Sequence, residues 1–259
     1  MVRLDRRTLR QSEDAFVDDL LSSAHDLNIP ALLAKFPRVY VDVNRDRREI
    51  DRTLVIDPEK LLLSDALNTS RVKAGLGVVA RMVNSETPIY SNKITAQDVL
   101  MRLIALYDPY HAELKRMIGS AKANFGYCIL IDFHSMPSLK NKIARYDRAD
   151  VVIGDRHGTS CSAALTNAVE SLFSDFGYKT ARNTPYAGGY ITGHYGLPHQ
   201  GVHAIQVEIS RDLYMDEYKL SRHSGFKILE DHVSIVLQAV QAIPRSDITA
   251  PDNWAISAE

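Results

Sequence analysis

The stretch Tyr127-Cys128-Ile129-Leu130-Ile131-Asp132-Phe133, ending at His134, constrains this chain most. It is almost unbroken in apolar character, yet far short of the roughly 18–20 residues needed to cross a bilayer. A run of that length and composition predicts a central strand covered on both faces, so the remaining chain must supply covering layers. Helical periodicity supplies them. From Ser12 to about Leu27, Phe16, Val17, Leu20, Leu21, Ala24 and Leu27 fall on one helical face, with Ser12 as N-cap and Glu13 and Asp14 in the first turn. Residues 96–122 carry Val99, Leu103, Leu106, Tyr110, Leu114 and Met117, a long amphipathic helix. Further helices are expected over Ser160–Phe176 and Phe226–Ile243.

Strands fall between them. Arg38–Val43 alternates, with Val39, Val41 and Val43 on one face and Arg38, Tyr40 and Asp42 on the other. Val78–Val83, Val151–Gly154, Tyr178–Asn183 and His203–Ile209 read as further strands. Ala187–Pro198, rich in Gly, Tyr and Pro, reads as an ordered loop, and the residues after Pro244 as a tail. Strands separated by helices predict an α/β fold: three layers, a mostly parallel or mixed sheet and helices on both faces. With no repeat, linker or low-complexity tract, residues 1–259 are expected to form a single domain.

Composition narrows the function classes. The chain has 31 basic and 32 acidic residues, a formal net charge of −1, which gives no footprint for nucleic acid or an anionic membrane surface. Met1–Arg7 carries charge without an apolar segment behind it, so no secretory signal is expected. Cys128 and Cys161 form no C-x-x-C pair and read as reduced, buried thiols of a cytoplasmic protein.

Three polar groups sit at expected strand ends, where α/β sheets collect ligands. Asp132-x-His134-Ser135 pairs a potential metal ligand with a carboxylate on the same side of the strand, suited to orienting the ring. Asn44-Arg45 offers a planar fork and a further donor for a substrate carboxylate, against the alternative that Arg45–Glu49 is a solvated charge run. Glu208, among Ile205, Val207 and Ile209, suits general-base work, the alternative being an edge-strand residue facing water. A histidine beside a carboxylate, a cationic pair and an isolated carboxylate on one rim suggest metal-assisted hydrolysis.

Seven blocks stand in order along the chain: Ser12–Asp18, Arg38–Arg45, Pro109-Tyr110-His111, Asp132–Pro137, Gly154-Asp155, Asn183–Pro198 and Gln206–Asp216. In these the chain resembles the N-formylglutamate amidohydrolases from about Leu9 to Glu217, a family with a fold similar to the zinc carboxypeptidases and other phosphorylase/hydrolase-like folds. The resemblance implies deformylation of N-formyl-L-glutamate to formate and glutamate, a step of histidine degradation, assisted by Zn2+ or another divalent metal. It implies His134 and Asp14 as metal ligands, with Glu13 as alternate to Asp14, and Glu208 as general base and then proton donor to the leaving amine. Arg45 with Asn44 is implied to clamp a substrate carboxylate. Arg38 is implied either at the reacting carbonyl or in a pairing with Asp42, and Arg211 is counted with the substrate-binding residues. The partner implied is a small N-acyl amino acid, with no nucleic acid and no membrane.

Family members usually open with a strand ending in Pro-His-Ser-Gly, whose histidine is a further ligand. That motif does not occur in this sequence. The expectation is an N-terminus assigned too far downstream or a natural short form. His111, His194, His199 and His203 are the available substitutes. The alternatives kept open are the same chemistry on another N-formyl or N-acyl amino acid, and a catalytically inactive ligand-binding homologue.

Overall fold

The apolar run from Tyr127 forms β1 (Cys128–Met136), the first strand of a four-stranded sheet. The computed structural model describes residues 4–61, 66–84, 86–138 and 149–249. The chain divides into two compact units, Met1–Ala15 with Leu32–Arg116 and Phe16–Ala31 with Met117–Glu259.

The second unit holds the sheet. Its other strands are β2 (Val151–Gly154), β3 (Thr180–Arg182) and β4 (Val202–Ser210), in the order β1-β4-β2-β3. β1 runs parallel to β4 and β2 parallel to β3, whereas β2 is antiparallel to β4. The sheet is therefore mixed and mostly parallel. β4 lies between two partners and is buried at every residue, as its aliphatic content requires. Side-chain alternation puts Ala204, Gln206 and Glu208 on one face and His203, Ile205, Val207 and Ile209 on the other. The second face meets the start of the helix Ala163–Asp175, where the Ser162 amide donates to His203 Nδ1 at 3.2 Å. This helix buries Leu165, Val169 and Phe173, at spacings of four, and packs on β2 and on the helix Gly225–Gln241.

Two expectations in this unit need correction. Ala187–Pro198 is not all loop: Tyr190–Tyr195 is a helix with Ile191 and Thr192 buried. Of its Gly and Pro residues, Gly188, Gly189, Gly196 and Pro198 stand at the ends of that helix and only Gly193 lies within it, and Thr192 Oγ1 donates back to the Gly189 carbonyl at 3.0 Å. After Pro244 the chain forms a further short helix, Arg245–Thr249, with Ile248 fully buried, and the last ten residues lie outside the described residues.

The helix expected from Ser12 to Leu27 breaks into pieces. Ser12 Oγ donates to the Leu9 carbonyl behind it instead of capping a helix ahead of it. Phe16 adopts a left-handed φ of 65°, and only Val17–Leu20 is α-helical before a 3-10 turn at Ser22–Ala24. Val17, Leu20 and Ala24 are nevertheless buried, so the apolar face is present although the helix is not continuous.

In the first unit neither expected strand forms. At Arg38–Val43 the Tyr40 and Val41 amides turn back onto the Pro37 carbonyl, and the Asp42 N–H bonds across to Val78. Val39 and Val41 are buried as the alternation requires, but so is Asp42. Val78–Val83 is buried at most positions yet pairs through an isolated bridge, Met82 to Pro88, and not through a ladder. The long helix is present from Ala96 to Phe125, capped by Thr95 Oγ1 on the Asp98 amide at 3.0 Å. Its Leu103–Tyr107 turn is π-helical and ends two residues ahead of Pro109, which lacks an N–H and crowds the preceding turn.

Candidate functional site

The parallel register of β1 and β4 sets Asp132 opposite Gln206 and His134 opposite Glu208. Because each pair is separated by two residues along its strand, all four side chains share one sheet face. His134 Nε2 lies 3.0 Å from Asp132 Oδ1. Gln206 Nε2 donates to Glu208 Oε1 at 2.7 Å, and Gln206 Oε1 accepts the Gly189 N–H at 2.7 Å. His134, Gln206 and Glu208 are buried. A buried carboxylate must be met by hydrogen-bond donors, and Gln206 supplies one.

The strand on the other side of β4 makes room for this. Gly154 is the β2 residue opposite Gln206, and a Cβ there would lie 2.8 Å from the Ala187 carbonyl carbon and from Gly188 N. Glycine at 154 thus lets the 187–189 backbone cross β2 and bring the Gly189 amide onto Gln206. Glu208 is on an inner strand, so the alternative of an edge residue facing water does not hold. Ser135 alternates away from His134, and Arg211 Nε donates to its Oγ at 3.0 Å, so Arg211 is joined to the opposite side of β1 from the His134 side chain.

The first unit gathers the cationic residues around Asp42. Arg38 Nε lies 3.1 Å and Arg45 Nε 3.7 Å from Asp42 Oδ2, and the Asn44 N–H donates to Asp42 Oδ1 at 2.9 Å. Burial opposes ionisation of Asp42, but the Arg38 and Arg45 guanidiniums outweigh it and hold the carboxyl below the usual carboxylate range. Burial likewise lowers Arg45, against the pull of Asp42. Arg38 Nη1 also pairs with Asp14 Oδ2 at 3.0 Å, and Glu13 pairs with Arg10 at 3.3 Å. Arg45 differs from the charges after it. Arg47 is committed to Asp108 and Arg48 to Asp46, whereas Arg45 is largely buried, with Nε on the Leu76 carbonyl and Nη1 on that of Asn44. Among the described residues, no hydrogen bond is made by Arg45 Nη2. Asn44 itself is buried.

The other histidines go elsewhere. His111 Nε2 meets the Val43 carbonyl at 3.0 Å, and His194 stacks on Tyr190 beside Tyr195. His199 lies 3.2 Å from the Gln200 amide, and His203 is on the opposite face of β4 from Glu208.

The family model for N-formylglutamate amidohydrolase matches residues 1–215. The chain belongs to that family. It is 30% identical over 207 residues to an N-formylglutamate deformylase of Pseudomonas aeruginosa, covering 79% of this chain and 71% of the relative. A second N-formylglutamate deformylase, from Pseudomonas putida, is 26% identical with the same coverage. The crystal structure of N-formylglutamate amidohydrolase from Ralstonia eutropha JMP134 superposes with a TM-score of 0.87 at 32% identity, over 93% of this chain and 86% of that one. A gene product of Agrobacterium tumefaciens shares the fold at TM-score 0.58 and 17% identity, over 88% of this chain and 78% of that one.

Members of the N-formylglutamate amidohydrolase family are generally metal-dependent. One feature fits: an imidazole held by a carboxylate, as His134 is by Asp132, is the usual setting of a metal-binding histidine. A catalytic zinc takes three protein donors, and among the described residues no group of three His, Cys, Asp or Glu side chains could hold an ion. Sequence reasoning found His134, Asp132 and Glu208 but gave Gln206 no role. Its signal was present in the spacing, since Gln206-x-Glu208 repeats that of Asp132-x-His134.

Proposed function

We propose that the chain is an amidohydrolase that cleaves the formamide of N-formyl-L-glutamate to formate and glutamate, within histidine degradation. The observation that supports it most is the shared face of β1 and β4 carrying Asp132, His134, Gln206 and Glu208, in a chain of this family. Glu208 takes a proton from water as its oxygen bonds to the formyl carbon. It then delivers that proton to the amide nitrogen as the C–N bond breaks, releasing formate and the free amino group. Arg45, beside Asn44, receives a substrate carboxylate on its remaining N–H groups. Arg38 and Arg211 are assigned to substrate binding through the family resemblance.

His134 and Asp14, with Glu13 as alternate, would hold Zn2+ or another divalent ion, which supplies Lewis-acid polarisation when bound. Asp14 would exchange its Arg38 partner for the ion. Two protein donors hold a metal orders of magnitude more weakly than three. The proposed setting is the cytoplasm, and the proposed fold places helices on both faces of the sheet as in the zinc carboxypeptidases.

Formate release by the zinc-supplemented chain tests the reaction. Glu208→Gln is expected to lower kcat by about 10²–10⁴-fold, the usual range for a lost general base. Arg45→Met is expected chiefly to raise KM. Formate release unaltered by Glu208→Gln would refute the assignment. Comparing kcat/KM across formyl and acyl amino acids separates N-formyl-L-glutamate from other N-acyl substrates.

The lack of a three-donor group among the described residues favours a second reading, an inactive homologue that binds glutamate-like acids through Arg45. It requires ligand binding in calorimetry without turnover, and one tightly held metal per chain would exclude it.

A further inference from the structure

We propose that Gln206 is a positioning residue: it aims the Glu208 carboxylate and ties that aim to the backbone at Gly189. The inference rests on the reading of Glu208 as the base. The Gln206 amide has two ends with opposite hydrogen-bonding character, and both are used. Its nitrogen donates to Glu208 Oε1 and its oxygen accepts from the Gly189 N–H, each at 2.7 Å. The oxygen end is therefore held by a backbone donor, which fixes which end of the amide faces Glu208.

The backbone donor is itself set by construction. Glycine at 154 admits the 187–188 chain over β2, and Gly188, with φ +120°, takes a conformation that side chains rarely adopt. Thr192 Oγ1, which a Cβ at 188 would approach to 2.5 Å, instead bonds the Gly189 carbonyl. The residues Gly154, Gly188, Gly189, Gln206 and Glu208 thus form one chain of constraint. A carboxylate on a side chain with several rotatable bonds gains a defined direction from it, and proton transfer depends steeply on such direction.

The test uses the full chain with N-formyl-L-glutamate as substrate. Gln206→Met keeps the length and apolar volume of the side chain and removes both hydrogen bonds. It is expected to lower kcat about 10-fold or more while KM changes less than about 3-fold, since the lost alignment acts on the reaction rather than on substrate binding. In a Glu208→Ala background the same change is expected to cost nothing further, because Gln206 acts through Glu208. An unchanged kcat in Gln206→Met, or an equal loss with and without Glu208, overturns the proposal. A readout independent of turnover is the side-chain amide signal of Gln206 in glutamine-labelled protein, which is expected to move in Glu208→Ala. If it does not move, the positioning contact is refuted. If it moves while the wild-type chain releases no formate, the assigned reaction is refuted and the contact stands.

Discussion

Gly154→Ala tests the local construction of the site without reference to any activity. The added methyl would lie 2.8 Å from two backbone atoms of the 187–188 chain and 3.0 Å from the Ala187 oxygen, with no flexible side chain to yield. Overpacking of this kind costs about 1–3 kcal/mol. Moving the 187–189 backbone away also stretches the 2.7 Å Gly189–Gln206 bond, worth about 1 kcal/mol. Restricting the unfolded chain at residue 154 returns about 0.4–1 kcal/mol, because Gly154 does not have a left-handed φ. The net loss is about 2 kcal/mol, which for a chain of this size lowers Tm by roughly 4–8 °C. Thermal unfolding followed by circular dichroism measures it, and amide exchange at Gly189 reports whether the backbone moved. A Tm within about 1 °C of wild type, with Gly189 still protected, would refute the reasoning.

Other outcomes concern single residues. Gly119 lies within the Asp108–Phe125 helix with nothing within 4 Å of an added Cβ, so Gly119→Ala is expected to stabilise by up to about 1 kcal/mol, read as a higher urea midpoint. Asp42 has a lowered folded pKa, so its stabilising contribution is present above the unfolded value near 3.8 and is lost as pH falls through the folded one. Asp42→Asn should therefore be less stable at neutral pH and lose less between about pH 4 and pH 3, measured by urea midpoints. Burial pushes the Cys128 thiol up to about 11, so at pH 8 it is expected to react with a disulfide reagent only on unfolding. A fast-reacting thiol in the native chain, mapped to Cys128 by mass spectrometry, would contradict that.

Much of the second unit is legible in the sequence because its signals are short in range. β2 and the first half of β1 are apolar runs, β4 is rich in aliphatic residues, and the helices Ala163–Asp175 and Gly225–Gln241 carry apolar residues at helical spacing, so local pattern and tertiary burial agree. In the first unit they diverge. Arg38–Val43 alternates like a strand, yet its backbone bonds are taken by a turn on Pro37, and Asp42 goes inside with two arginines. Alternation reports which side chains are buried, and burial does not require a ladder partner.

The same distinction applies to the candidate site. The residue types and their i, i+2 spacings stand in the sequence, and so does the resemblance that named the family. Sequence alone determined that Asp132 and His134 share one side of a strand, and that Gln206 and Glu208 share one side of another. Only the tertiary structure decided that the two strands are neighbours in the register that sets Asp132 opposite Gln206 and His134 opposite Glu208. It also decided that Asp14 is engaged by Arg38 and that Gln206 joins Glu208 to Gly189. The reason is physical. A strand's own period orders its side chains, but which strand lies beside it, and which backbone passes over it, is set by packing between segments far apart in the chain.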